Sequence, residues 1–425
     1  MAGPTMPEAS AGEDRADAAA AEGAPPAARG GALEVLAVAL GLGLTSFGGP
    51  IAHIGYFERT YVRRRRWISA EDFTGLVALC QMVPGPASSQ LGFLIGLRRA
   101  GWLGALAAWI GFTAPSALLM FAFAWLAPAL GGRLPQAALH GLKLVAVAVV
   151  AQAVWSMAGK LCPDRRRAAL ALAAASLLLL FAGPLIQFAA LAAGALGGAL
   201  LCRDQKNQAA PPALPIGRRT GLAAGALFVL LLIALPLAAR DAPGSMLGMA
   251  AIFYRAGALV FGGGHVVLPL LQGALVPTGW ISNGAFLAGY GAAQAVPGPL
   301  FTFAAYLGAA IGPKDAGLGG RALWSALATL FIFLPGALIA LASLPLWTWI
   351  GGRPAARGAL AGVNAAVVGV LGAALYNPIW QSAVLNARDL AIAVIAFMLL
   401  ERWSWPPILI VIVCLAAALV SALAP

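Results

Sequence analysis

Charge is what this sequence has least of. Of its 425 residues only 10% are Asp, Glu, Lys or Arg; the acids number 15 and the histidines 3. Paired-carboxylate and Ser/His/Asp chemistry therefore have few residues to draw on, and no catalytic set is assigned. The four cysteines, Cys80, Cys162, Cys202 and Cys414, lie far apart with no C-x-x-C or Cys/His ligand spacing. No metal site and no cofactor are expected. There is no G-x-x-x-x-G-K-[ST] loop, which argues against an ATP-driven machine. The first 30 residues lack the basic start, short apolar core and cleavage pattern of a secretory signal, and their Ala-, Gly- and Pro-rich composition predicts a disordered tail.

What is abundant is apolar sequence. At 61% hydrophobic, the chain holds many windows near the ~20 residues that cross a bilayer, and the fold class is an all-α polytopic membrane protein. The formal charge of +12 sits mostly in short loops between apolar runs, as the positive-inside rule expects, so the partner is the lipid bilayer and not nucleic acid.

Self-comparison sets the organisation. Phe47-Gly48-Gly49 matches Phe261-Gly262-Gly263 at a shift of 214, and Trp67-Ile68-Ser69 matches Trp280-Ile281-Ser282 at 213. "QMVPGP" at 81–86 matches "QAVPGP" at 294–299, and Pro115 matches Pro335 at 220. Two homologous halves follow, 31–203 and 245–425, separated by a segment at 204–244 that carries one extra apolar run at 221–239.

The first apolar runs of each half are interrupted. Pro lacks a backbone donor and Gly weakens a helix, so "FGGP" and "PGP" in mid-run leave amides and carbonyls unpaired. Hydrocarbon tolerates such breaks only against protein or water. Broken helices at the interface of two repeats are how secondary transporters build substrate sites near mid-membrane. A half-helix starting after Pro50, Pro86 or Pro299 points free amides and a positive dipole end at the break, a geometry that attracts anions.

"GLTSFGGPIAHIGYFER", the "W-I-S" with its following Phe73, "Q-x-V-P-G-P" followed by Ser or Thr, and a second copy beginning "FGGGHVVLPLL" resemble the chromate ion transporter family over nearly the whole chain beyond the tail. The resemblance implies an inner-membrane carrier that exports chromate, with sulfate as the isosteric competitor and the halves in opposite orientation. It leaves the oligomeric state open, a homodimer included. Lys/Arg counts over the loops do not separate inverted from parallel halves. Placing the Arg63–Arg66 cluster inside favours re-entrant hairpins over fully spanning broken segments.

The candidate substrate-binding residues follow from the breaks. Gly48, Gly49 and Pro50, Gly85 and Pro86, Gly262, Gly263 and Gly264, and Gly298 and Pro299 form the interruptions themselves. Ser88 and Ser89 follow the first "PGP", with Thr302 in the place of Ser89 in the second copy; their hydroxyls either donate to an oxyanion or cap the helix. His53 and His265 follow the Gly breaks as proton shuttles or as structural donors. Gln81 and Gln294 precede the "PGP" turns as neutral donors. Lys143 and Arg255 are basic residues within apolar runs, costly unless functional or paired. Lys143 is also near enough to a helix end to snorkel, and Asn364 takes its place in the other half. The arginine fork at 255 can meet a tetrahedral dianion with two hydrogen bonds, or bond broken-helix carbonyls instead.

Overall fold

The computed structural model describes residues 30–126, 132–181, 184–203, 214, 216–261, 263–345 and 353–423, and every regular element among them is helical. The predicted N-terminal tail lies outside the described residues apart from Gly30.

Helix α1 (Ala32–Thr45) ends where Ser46 turns extended and Gly48 enters the left-handed region at φ 102°. Pro50 then stands in the first turn of α2 (Gly49–Phe57), which runs on as a π-helical stretch, Glu58–Arg64. After the basic turn, Ser69 caps α3 (Ala70–Met82) by accepting the Asp72 amide. Pro84-Gly85-Pro86 ends α3 and starts α4 (Ala87–Leu126), itself broken at Ala100–Gly101.

Four contacts bring the outer ends of these helices together. Arg98 pairs with Asp72 at 2.9 Å, Arg99 pairs with Glu34 at 3.0 Å, the Arg99 guanidinium lies 5.1 Å over the Trp67 ring, and Gly30 N–H donates to Arg99 O at 3.1 Å. The start of α1, the α2–α3 turn and the end of α4's first segment therefore share one end of the molecule. The α1–α2 segment and α3 with the first segment of α4 are therefore hairpins whose two ends lie on the same side of the molecule.

Helices α5 (Arg133–Leu161), α6 (Arg165–Leu180) and α7 (Pro184–Leu201) complete the first repeat, and α8 (Arg218–Ala238) leads to the second. There α9 (Met246–Ala258) matches α1, and a 3₁₀ turn with α10 (Val267–Leu275) matches α2. Next α11 (Asn283–Ala293) matches α3, and a 3₁₀ turn with α12 (Phe303–Ile311) matches the first segment of α4. Helix α13 (Gly317–Ser343) matches the second segment. Gly101 and Gly317 hold the hinge in nearly one conformation, φ 65° ψ −155° and φ 61° ψ −167°. The chain ends with α14 (Pro354–Ala374), α15 (Ala387–Glu401) and α16 (Pro407–Leu423). Among the described residues five helices, α8 and α13 among them, are long and apolar enough to cross a membrane.

The repeats exchange their last two helices. α6 and α7 pack on α14 of the second repeat, and α15 and α16 pack on α5 of the first. Small residues let the backbones touch: a Cβ on Gly198 would strike Gly358 O, and one on Gly141 would strike Cys414 O. Polar ties fix the register of α5 against α15, His140 Nε2 to Asp389 Oδ1 at 2.9 Å and Gln152 Nε2 to Glu401 Oε2 at 3.2 Å. The start of α5 thus meets the start of α15, and the end of α7 meets the start of α14.

Candidate oxyanion site where the breaks meet

The tips of the hairpins meet in a reciprocal pair of backbone hydrogen bonds. Gly85 N–H donates to Val260 O at 2.7 Å, and Gly298 N–H donates to Ser46 O at 2.8 Å. Gly85 matches Gly298 and Ser46 matches Val260, so each "PGP" turn ties itself to the residue before the other repeat's Gly break. Glycine is needed twice over at these turns. Gly85 and Gly298 hold φ 121° and 93°. A Cβ on Gly85 would stand 2.8 Å from Gly336 Cα, and one on Gly298 would stand 2.8 Å from Ser116 Oγ.

On the first repeat's side this crossing is lined with polar groups taken out of water. Ser46, His53, Ser88, Ser89, Gln90, Thr113 and Ser116 are all buried. His53 Nδ1 lies 3.3 Å from Ser88 Oγ, the ring sits edge-on to Phe112 at 5.3 Å, and the Ser46 main chain is close by. Several polar atoms here complete no hydrogen bond among the described residues: Ser46 Oγ, His53 Nε2, Ser89 Oγ, Trp109 Nε1 and Thr113 Oγ1. A buried group left without a partner costs roughly 1–3 kcal/mol, so a cluster of them is retained only where something else receives the bonds. Each of these atoms can donate, and together with the first-turn amides of α4 they make this crossing rich in neutral donors, the chemistry that suits an oxyanion.

Gln90 was invisible as a site residue in the sequence. Its Nε2 donates to Pro84 O at 2.8 Å and to Gly336 O at 2.9 Å, lashing the first "PGP" turn to α13 of the other repeat. Ser46, Trp109, Thr113 and Ser116 also went unread; each is a small hydroxyl residue or a Trp in an apolar run. The available signal was their replacement at matched positions by Val260, Thr329, Phe333 and Gly336.

The other predicted residues are placed as follows. Gly48 and Gly49 form the first break with φ 102° and 79°, and Pro50 opens α2. Pro86 lies directly before α4 and packs on Gly336. Gly262 lies outside the described residues; Gly263 and Gly264 lead into the 3₁₀ turn. Pro299 precedes the second 3₁₀ turn, and Thr302 Oγ1 is occupied by Pro299 O at 2.8 Å. His265 Nδ1 is 2.7 Å from Tyr290 Oη, a satisfied pair within the second repeat. Gln81 is exposed near the end of α3, whereas Gln294 is half-buried with Nε2 unpartnered. Lys143 lies against α11, its Nζ 3.0 Å from where a Cβ on Gly284 would stand, at the start of that helix and not at its "PGP" end. Asn364 is half-buried on α14 with Oδ1 unpartnered. Arg255 faces a separate cavity of about 790 Å³, none of whose lining residues belongs to the His53 cluster. Among the described residues no three His, Cys, Asp or Glu come together as metal ligands.

Residues 33–199 and 247–420 each match the family described as Chromate transporter. Over 341 residues the chain is 31% identical to the chromate transport protein of Pseudomonas aeruginosa, covering 79% of this chain and 78% of that one. It is 29% identical to the probable chromate transport protein of Synechococcus elongatus over 79% of this chain and 81% of the relative. The chromate transport protein of Cupriavidus metallidurans is 28% identical over 78% and 79%. No solved structure matches the chain. With one family unit on each of two helical repeats whose broken helices meet, the chain is a multi-pass membrane protein and belongs to the chromate transporter family.

Proposed function

We propose that this protein is a secondary transporter that exports chromate across the inner membrane and so confers chromate resistance, binding the dianion where the four break tips converge. The observation that carries this reading is the set of buried, unpartnered donors around His53, held in place by the reciprocal Gly85–Val260 and Gly298–Ser46 bonds. His53, its Nδ1 accepting from Ser88 so that Nε2 carries the proton, and Ser89, with Ser46 and Thr113, donate to the oxyanion; Gly48, Gly49, Gly85 and Gly298 bring the backbones close enough for them to do so. The curated relatives quoted above are named for chromate transport. Sulfate presents the same tetrahedron of oxygens and competes for the same donors.

The halves run in opposite directions through the bilayer. In support, the end of α7 meets the start of α14 while the start of α5 meets the start of α15, so matched ends of the two repeats lie at opposite ends of the molecule. This orientation puts the Arg63–Arg66 turn inside and its charge-free counterpart, the 276–282 turn, outside. Moving a dianion out of a negative interior gains about 2.3 kcal/mol per charge per 100 mV, enough to drive export without ATP.

The test is chromate flux by purified protein in liposomes with the potential clamped and sulfate as competitor. Saturable, voltage-dependent flux that His53→Val abolishes is expected. Flux that does not saturate, or that His53→Val and Thr113→Val leave unchanged, would remove the proposed site.

A further inference from the structure

The cavity at Arg255 is a second place where the molecule asks for an anion. Its mouth is formed by Pro277 and Thr278, exposed residues of the α10–α11 turn, and by Phe181 at the end of α6. Its inner part is lined by Arg255 of α9, Leu259 just after that helix, Gln187 of α7 and Gln272 of α10. Arg255 lies ten residues beyond the Ser245 cap of α9, about 15 Å along the helix, which is half of a ~30 Å hydrocarbon core. Its guanidinium lies 5.5 Å from the Phe188 ring centroid and makes no ion pair or hydrogen bond among the described residues. Of the two glutamines that line the cavity, Gln187 has an unpartnered amide donor, Nε2, and Gln272 spends its own Nε2 on Asn283 Oδ1, so the anion's one charged partner here is Arg255.

A cation in mid-membrane is costly unless a counter-charge or water reaches it. A phospholipid headgroup stays at the interface, roughly 15 Å from the Arg255 backbone by the ~30 Å core thickness, farther than an arginine side chain extends, so a headgroup is not its direct partner. A cavity of about 790 Å³ has room for a small anion with much of its water. Its mostly apolar walls would strengthen the field of a single buried charge by keeping the local dielectric low.

We propose that this cavity is an anion vestibule, open at the end of the molecule that carries the 276–282 turn, in which Arg255 draws small oxyanion dianions to mid-membrane depth. The proposal rests on the transport reading above and adds to it the route on one face: Arg255 gathers the ion electrostatically and hydrated, whereas the His53 cluster binds it directly. On the inverted topology this is the outer face.

Thiol accessibility tests it without measuring transport. Cysteines are introduced singly at the mouth, Gly273→Cys, where a Cβ meets nothing within 4 Å, and at the inner end, Leu259→Cys. Sealed vesicles of either orientation are treated with anionic sulfonate or cationic trimethylammonium methanethiosulfonates, each rate normalised to a free thiol. Modification is read peptide by peptide, so the four native cysteines stay in place. The inner cysteine should react from the 276–282 face only, at least ten-fold faster with the anionic reagent. Sulfate should slow it; chromate is avoided because it oxidises thiols. Adding Arg255→Gln should erase the preference for the anion, and Arg255→Lys should restore most of it. An inner cysteine that stays inert while the mouth cysteine reacts would mean a dry or lipid-filled cavity and would overturn the vestibule. Equal rates for both reagents, unmoved by Arg255→Gln, would do the same. Anion-selective reactivity in a protein without chromate flux would sink the transport reading and keep the vestibule; intact flux with an inert inner cysteine would do the reverse.

Discussion

The two repeats share their backbone and divide their chemistry. Ser46, His53, Ser88, Gln90 and Thr113 of the first repeat stand where the second has Val260, Val267, Phe301, Phe303 and Phe333, and both sets are buried. In the second repeat the aromatics pack on one another, Phe301 on Phe333 at 5.6 Å and Phe286 on Phe303 at 5.1 Å, while Trp109 of the first meets Phe333 at 6.0 Å. One half carries polar side chains at the crossing and the other aromatic and aliphatic ones, and on the proposed function those apolar groups would exclude water and strengthen the bonds the donors make. Duplication thus supplied two matched breaks, and divergence left most of the buried unpartnered polar atoms beside the first repeat's break, with Gln294 Nε2 beside the second. The hairpins differ in support as well. α11 packs along α5, with Gly291 against Leu142 O, whereas α3 has no comparable packing on α14 and leaves Gln81 exposed.

The largest effect is expected where the repeats are alike. Gly85→Leu and Gly298→Leu each force a side chain into a left-handed turn and against the opposite repeat, at Gly336 or at Ser116 and Phe112. Chromate flux in proteoliposomes should fall to background for both. If either variant transports normally, the close crossing of the tips is not part of the path.

The next effect should separate the two histidines. His53→Val copies the second repeat and removes the unpartnered Nε2 donor, so flux should drop at least ten-fold, about 1.4 kcal/mol, and adding Ser88→Ala should recover the stability lost by stranding the Ser88 hydroxyl but not the flux. His265→Val instead strands the Tyr290 hydroxyl and should cost about 1–3 kcal/mol of stability, with flux per folded molecule retained. Adding Tyr290→Phe should recover most of that stability, since removing both partners is nearly neutral. The comparison fails if His265→Val is the variant that stops transport.

These contrasts explain what could be read before the structure. The breaks, their order and their duplication were legible because Gly and Pro act on the backbone wherever they stand, and a membrane leaves few places for unpaired amides. Lys143 and Arg255 stood out by cost alone, but cost does not place a side chain. The lysine lies at the start of α11 and the arginine in its own cavity. The roles of Ser46, Gln90 and Thr113 arise from contacts that span the repeats, such as Gln90 to Gly336, and nothing local in an apolar run announces them. The exchange of α6–α7 and α15–α16 was equally hidden, since it rests on glycines such as Gly198 and Gly358 that look like ordinary small residues in a membrane helix.

A smaller effect should divide Ser89 from Thr302. The Thr302 hydroxyl is engaged by Pro299 O at 2.8 Å, whereas Ser89 Oγ has no partner. Ser89→Ala should raise the KM for chromate several-fold, within the roughly 0.5–1.5 kcal/mol of one hydrogen bond, and leave stability unchanged. Thr302→Val should cost a similar amount of stability and leave KM alone. Equal KM shifts in both variants would mean that the second repeat donates to the substrate after all.

The smallest expected difference lies outside the membrane, at the matched caps of α6 and α15. Asp164 accepts the Arg167 amide at 3.0 Å, and Asn386 accepts the Asp389 amide at 3.0 Å. The same bond is made by an acid in one repeat and an amide in the other. The Arg167 main-chain N–H, followed by its guanidinium, holds the Asp164 carboxyl below the usual range. A carboxyl depressed in the folded state adds stability that is fully present above its unfolded value near ~3.9 and is lost as the pH falls through the folded value. Removing either cap, Asp164→Ala or Asn386→Ala, should cost about 1 kcal/mol at neutral pH in thermal melts. Below about pH 4 the penalty for Asp164→Ala should shrink, because the protonated acid no longer caps well, while that for Asn386→Ala should not follow it. Two penalties that fall together would assign the acid sensitivity to some other carboxyl shared by both variants.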